Sequence, residues 1–422
     1  MSREDLIDID ALQVGMFIHL DLGWMRHPFP LSSFRITSED QLAVLRKLGL
    51  RQVRWSPAQS LSKADEPAPE TQVPAAAASA ETPEQRIASA RREVLRRQHE
   101  DLAQCEAQYA EASRALEELQ SGVIRQPANA AEQALLLSKS LLNKMLVQEE
   151  VSLRLLTEAA GDKQCAHALN VALISLLLGK AAGMGESDLL DLGVGSLMHD
   201  IGKMELEPRL RIRSENFSAA EFSGYQWHVS KGVEIGQRMG LSAPALAVIA
   251  QHHEQADGTG FPQKLAGDRV NPLARIVALV NRFDGLCNPA LPGGKSLTPH
   301  EALSLLFAQG RSRFDCTMLN AFIRLMGVYP PGSIVQLTDE RYALVVAVNT
   351  NRPLKPSVIV HDPRIPAREA LVTNLEEHPS LGIRRSLRPA DLPDAARDYL
   401  KPRARVAFFP MVDRSVQSAD PV

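Results

Sequence analysis

The sequence predicts a mainly α-helical protein with a small α+β unit at its N-terminus and a short β segment towards its C-terminus. Three observations carry this. Between about 130 and 327, one segment after another places apolar residues at three- and four-residue steps, with breaks at glycine and proline. Residues 1–56 combine short β-rich runs with one amphipathic stretch. After residue 328 the pattern changes to β-branched runs, "GSIVQLTDERYALVVAVNT" and "KPSVIVHD", separated by turn residues.

In chain order, "GMFIHLDL" reads as a strand, and "TSEDQLAVLRKLGL" as a helix entered through a cap at Thr37 or Ser38. "RQVRW" reads as a second strand. Residues 57–83 are rich in Pro, Ala and Glu with few large apolar side chains, the composition of a disordered linker. Residues 84–121 form one long polar helix. Ala88, Leu95, Leu102, Tyr109 and Leu116 recur every seven residues, but the second seam (Arg91, Gln98, Cys105, Ala112, Leu119) is poor. A homodimeric coiled coil and a helix packed on one side are both compatible with that pattern. From 130 to 327 the helical segments are "EQALLLSKSLLNKMLVQEEVSLRLLTEA", "CAHALNVALISLLLGKAAG", "ESDLLDLGVGSLMHDIGK" and "APALAVIAQHHE". Residues 328–422 read as a β extension ending in a loose, Pro- and Arg-rich tail.

Composition narrows the function classes. The 422 residues are 45% hydrophobic and 23% charged, enough to bury at least one large core. A net charge of -3 gives no global basic field, which argues against nucleic-acid binding. The N-terminal "MSREDLIDID" is acidic and unlike a secretory signal. The longest apolar run is interrupted by Asn170 and Lys180, so no membrane span is expected. Four cysteines without CxxC spacing suit a reducing compartment, and the expected location is the cytoplasm.

Chemistry concentrates between positions 167 and 253, which hold five of the eleven histidines: His167, His199, His228, His252 and His253. "LMHDIGK" places His199, Asp200 and Lys203 on one expected helix, with His199 and Lys203 a turn apart on the same face. Any one of these histidines alone reads as a core residue; the ordered set within about 90 residues does not. Imidazole with carboxylate suits iron, manganese or zinc. A pair of ions needs a bridging oxygen donor, and Asp200 is the natural bridge. His199 would stand on one side of it and His252 with His253 on the other, with His167 and His228 completing the set. Such a centre hydrolyses phosphodiesters, with Lys203 neutralising charge that develops on the phosphoryl oxygens.

With these residues in view, the sequence resembles the HD-GYP branch of the HD phosphohydrolases. The matching pieces are "HDIGK" (199–203), His228 followed by Gly232, "HHEQADGTGFP" (252–262) and "LAGDRVNPLARIVALVNRFDGL" (265–286). The resemblance covers roughly 130–327. Residues 1–56 resemble a domain of unknown function often fused ahead of HD-GYP domains, and "YPPGSIVQLTDERYALVV" resembles the usual continuation after them. The resemblance implies an all-helical HD-type domain that hydrolyses cyclic di-GMP to linear pGpG or GMP in bacterial signalling, at a centre of iron or manganese. It implies that His228, His252 and His253 share the second ion with Asp200. It also implies that Asp257, Gly258, Gly260, Phe261 and Pro262 shape the pocket rim and serve as a docking surface for other signalling proteins.

The sequence departs from the family pattern at four places. The carboxylate that should join His167, His199 and Asp200 around the first ion is Asn281, a weaker neutral donor. Asp284, three residues on, matches a different family position. Members with three ions carry a Glu where this chain has Lys163, so two divalent ions are expected. The basic stretch that grips substrate phosphates falls on Ala290 and Gly293, leaving Lys295 as the nearest cation. The Tyr of the family's Gly-Tyr-Pro is Phe261. These departures leave two alternatives beside an active cyclic di-GMP phosphodiesterase: an impaired relative that binds cyclic di-GMP or partner proteins as a regulator, and a hydrolase of another phosphoester.

Overall fold

The computed structural model describes residues 5–22, 27, 29, 33–57, 60, 82–146, 151–157, 162–290, 296–310, 312–349, 352–403 and 405–412. The chain divides into two compact units, Met1–Val94 and Leu95–Val422. Nearly all of the expected linker, 57–83, lies outside the described residues, as do Gly293 and Lys295.

In the first unit, strands β1 (Asp5–Asp8), β2 (Phe17–His19), β3 (Ser33–Arg35) and β4 (Gln52–Trp55) form an antiparallel sheet of order β1-β4-β2-β3. Helix α1 (Glu39–Lys47) covers it. Of the two capping candidates, Ser38 is the N-cap, its side chain accepting from the Gln41 amide. Ile18, Ile36, Leu42, Leu45 and Val53 are central to a core that this unit builds for itself.

Helix α2 (Pro83–Gly122) starts in the first unit and continues into the second. Ile87 and Val94 are exposed, whereas Cys105, Tyr109, Ala112, Leu116 and Leu119 are buried. Its later turns therefore pack within their own chain, using residues from both heptad seams.

The second unit is a helical body with a sheet laid against it. Its helices are α3 (Pro127–Leu146), α4 (Lys163–Ala181), α5 (Glu186–Met198), α6 (Ala219–Met239), α7 (Ala243–Gln251), α8 (Pro272–Cys287), α9 (Pro299–Gln309) and α10 (Cys316–Met326). Helix α4 is buried on every side over Cys165–Gly179 apart from His167, which explains its continuous apolar sequence. Among the described residues it alone is long and apolar enough to cross a membrane, and 78% of that window is buried inside the unit.

The sequence reading needs three corrections here. The segment read as one helix from 132 to 159 stops at Leu146, and Val151–Leu155 is a strand, β5. The alternation in Val-Ser-Leu-Arg-Leu is too short to stand out from the helical spacing around it, and its distant partner decides. The tail read as loose is largely ordered: β6 (Ile334–Leu337), β7 (Tyr342–Ala347) and β8 (Ser357–Val360) are followed by β9 (Val372–Asn374), β10 (Ile383–Leu387), α11 (Asp394–Leu400) and β11 (Phe408–Val412). These six strands and β5 form one antiparallel sheet, β10-β6-β7-β5-β11, with β8 on β7 and β9 on β8. Thirdly, the "HDIGK" helix breaks. Helix α5 ends at Met198, and after His199 and Asp200 the chain tightens into a 3-10 turn, Ile201–Glu205. In that tighter geometry Lys203 meets Asp200 three residues back, so the expected His199–Lys203 face is replaced by an Asp200–Lys203 pair.

Candidate metal centre

Asp200 is buried where α5, the 3-10 turn and α6 meet. Gly202 makes that meeting possible. A Cβ on Gly202 would stand 1.9 Å from the His228 carbonyl oxygen and 2.4 Å from the Gly232 nitrogen. Only glycine lets the two backbones approach so closely.

The five histidines come together around Asp200 in two groups. Ligand atoms of Asp200, His228, His252 and His253 lie within 4.8 Å of one another, as do those of His167, His199 and Asp200. Each group faces a different carboxylate oxygen. Asp200 Oδ1 is 3.6 Å from both His228 Nε2 and His252 Nε2. Asp200 Oδ2 is 3.5 Å from His199 Nε2, 3.8 Å from His167 Nε2 and 2.5 Å from Lys203 Nζ. His252 and His253 follow α7 directly, and the end of that helix lets consecutive imidazoles reach the same space.

The rings are oriented from behind. His199, His228 and His252 each pair Nδ1 with a carbonyl three residues earlier: Ser196 at 2.7 Å, Tyr225 at 2.6 Å and Ile249 at 2.8 Å. An Nδ1–H donated there leaves the Nε2 lone pair facing Asp200, the tautomer a metal ligand needs. Burial holds His199 and His228 neutral, pushing both down to about 3, and takes His253 well below its ordinary value. Burial opposes charge on Asp200, but Lys203 and the surrounding imidazoles outweigh it and keep the carboxyl well below the usual range. Lys203, despite burial, is held above the ordinary lysine value by Asp200 and Tyr225. The centre thus sets one carboxylate and one ammonium beside the neutral imidazoles of His199, His228 and His253.

Two buried atoms, Asp200 Oδ1 and His253 Nε2, lack any hydrogen-bond partner among the described residues. Orphaned buried acceptors are costly unless something else satisfies them. With neutral imidazoles converging on a shared carboxylate, the residues fit divalent cations.

His167 differs from the others. Its Nδ1 is 2.6 Å from Asp284 Oδ2. Burial disfavours its charged form, yet the Asp284 hydrogen bond and charge raise it above the ordinary value. Asp284 sits behind the ring, on the side away from Asp200, and so does not stand in for the missing carboxylate. Asn281, one turn earlier on α8, is half-buried with no hydrogen-bond partner among the described residues. Lys163 begins α4 and is exposed.

The loop after His253 walls one side of the centre. Gly258 has φ +77, and a Cβ on Gly260 would meet the His253 carbonyl at 2.5 Å, so this turn requires both glycines. Glu254 fastens the loop by accepting from the Gln263 and Leu265 amides. The Asp257 carboxylate accepts from Thr259. Phe261 stacks on His253 with ring centroids 4.4 Å apart, and Pro262 follows it through a cis peptide bond.

Three arginines escaped the sequence reading. Arg213 lies over the Phe222 ring at 5.1 Å, and Phe222 packs edge-on against Phe261 at 5.8 Å. The Arg313 carbonyl accepts from the Ala256 amide, tying its segment to the same loop. Arg282 follows Asn281 on α8; burial, then the charges of Arg213 and Arg313, pull it below the ordinary guanidinium value. All three reach the surface, Arg282 with its side chain partly shielded from water, and none forms an ion pair with a carboxylate among the described residues. Their one sequence signal is that each flanks a segment carrying site residues. Ala290, where a basic side chain was sought, is exposed.

The helical body gathers five histidines round one carboxylate, donors that could hold metal ions. Residues 132–318 match the family described as HD domain, and residues 5–134 match the domain of unknown function DUF3391. The two matches together span residues 5–318, and the resemblance to the HD-GYP branch is borne out by the chain's relatives. It is 26% identical to a cyclic di-GMP phosphodiesterase of Pseudomonas aeruginosa over 358 residues, 84% of each chain. It is 28% identical to a cyclic di-GMP phosphodiesterase response regulator of Xanthomonas campestris pv. campestris, over 49% of this chain and 54% of that one. A 3'3'-cGAMP-specific phosphodiesterase of Vibrio cholerae is 34% identical over 31% of this chain and 25% of its own.

Proposed function

We propose that the protein is a metal-dependent phosphodiesterase that hydrolyses cyclic di-GMP to pGpG, GMP or both. The observation that carries this is the Asp200 carboxylate, one oxygen turned to each histidine group. His167, His199 and Asp200 would hold one ion with help from Asn281, and Asp200, His228, His252 and His253 a second, iron or manganese being the expected metal. Divalent ions bound there would acidify a water and draw charge from phosphoryl oxygens.

The chain's own groups have separate tasks. His199, His228 and His252 keep lone pairs turned inward because main-chain carbonyls behind them accept their Nδ1–H bonds. Lys203 stays protonated beside Asp200, where it would meet negative charge developing on the phosphoryl group. Phe261, Phe222 and Tyr225 form an apolar wall that limits water and offers ring faces to a base. Arg213, Arg282 and Arg313 would take over the phosphate grip expected near Ala290, Gly293 and Lys295, since unpaired guanidiniums suit phosphate oxygens. Asp257, Gly258, Gly260 and Pro262 fix the rim, where a partner protein would dock. This reading places the protein in the cytoplasm.

The test is anaerobic purification, a metal count, and incubation with cyclic di-GMP plus ferrous or manganous ion. About two ions per chain with pGpG or GMP as product is the expected result, and Asp200→Ala should lose both ions and turnover. Full turnover by Asp200→Ala would sink the proposal. Asn281 favours a second reading, a regulator that binds cyclic di-GMP without cleaving it. In that case the wild type is inactive and Asn281→Asp switches turnover on.

A further inference from the structure

Behind His167 lies a buried network that reaches the C-terminal sheet. Asp284 is fully buried and gives one carboxylate oxygen to His167 Nδ1. Its other oxygen, Oδ1, accepts from Asn170 Nδ2 at 2.8 Å and from Asn288 Nδ2 at 2.9 Å. Both amides also donate to a second acceptor, the Val406 carbonyl oxygen, at 3.0 and 2.9 Å. The C-terminal main chain returns both bonds: Val406 N–H donates to Asn288 Oδ1 at 2.8 Å, and Phe408 N–H to Asn170 Oδ1 at 3.2 Å.

Two asparagines from different helices thus clamp one carboxylate against one stretch of main chain. Each amide uses both N–H bonds and its oxygen, so the clamp is saturated on its inner side. Asn170 lies one turn after His167 on α4, and Asn288 caps α8 one turn after Asp284. The clamped segment is itself fixed: β11 pairs with β5 along its whole length, and Phe409 packs edge-on against Tyr109 of α2 at 6.3 Å. Removing a partner from such a network leaves buried polar groups unpaired and frees the group they orient.

We infer that the C-terminal segment Val406–Phe408, acting through Asn170 and Asn288 on Asp284, is the positioning element for His167 and so sets the affinity of the ion on that side of Asp200. His228 and His252 have no such dependence, because carbonyls of their own helices orient them. Asn288 is a positioning residue that would touch neither metal nor substrate. The inference rests on the metal-centre reading, and the experiment separates the two.

Metal-free full-length protein is titrated with Mn2+ by calorimetry and with Co2+ by visible absorption, for the wild type, Asn288→Ala and Asp284→Asn. Partners that orient a ligating histidine are typically worth about 10–100-fold in metal affinity. The expected result is a loss of that size at one ion only, an altered Co2+ spectrum for that ion, and an unchanged second ion. Unchanged affinity at both ions in the variants overturns the inference. So does an equal loss at both, which would mark Asn288 as a fold-stabilising residue alone. A wild type that binds neither ion overturns the metal-centre reading together with this one.

Discussion

His228 and His252 are each oriented by a carbonyl three residues back in sequence, whereas His167 is oriented by Asp284, 117 positions away, and through it by main chain at 406–408. The first arrangement is made when a helix forms. The second needs α4, α8 and the C-terminal sheet in place together. His199, although grouped with His167, is of the local kind, bonding Ser196. In the proposed centre His228 and His252 stand with a complete set of donors, whereas His167 would share its ion with Asn281, where a carboxylate was expected. The two sides of Asp200 should therefore respond differently to the same insult.

The strongest way to break that comparison is to damage both sides at once. Gly202→Ala would push a Cβ into the His228 backbone and separate the Asp200 turn from α6. Overpacking of this kind costs about 1–3 kcal/mol or more, and here the upper end applies because both neighbours are backbone. Thermal unfolding should show a clear fall in Tm together with loss of both ions; an unchanged Tm with full metal content would show that α6 shifts freely.

Arg282→Ala tests whether substrate contact can be separated from both metal sites. A charge-assisted hydrogen bond to phosphate is worth about 1.5–3 kcal/mol, roughly a ten- to hundredfold rise in KM. Metal content should not change. Wild-type KM in this variant would return the phosphate grip to the segment around Lys295.

The smallest expected effect is a gain. Asn281→Asp adds an anionic donor on the His167 side only and should tighten that ion by an amount on the order of tenfold, the scale of a single change around a metal ligand. Calorimetry would check it, and equal tightening of both ions would show that the two sides are not independent.

Much of the site was legible because it is written in short, rigid spacings. "HDIGK", "HH" and "GTGFP" each lie within one turn or loop, and local geometry alone brings their members together. Gly202, Gly258 and Gly260 stand where a Cβ would clash or a positive φ is required, and the resemblance to HD-GYP proteins marked their positions. The role of Asp284 was not legible. Its place behind His167 follows from helix packing, and nothing in the spacing of "NRFDG" tells which residue faces the metal and which faces away. The arginines were missed for a related reason: exposed cations are common, and only the fold brings the charges of Arg213 and Arg313 to bear on Arg282.

By itself the sequence determined the helical body, the histidine set, the carboxylate among them and the family resemblance, because helical periodicity and residue spacing are local properties of the chain. Tertiary structure alone decided that β5 joins β7 and β11 from the far end of the chain, and that the C-terminal main chain stands behind His167. Those contacts join segments far apart in sequence, and what fixes them is the packing of α4, α8 and the sheet around buried polar groups that must find partners.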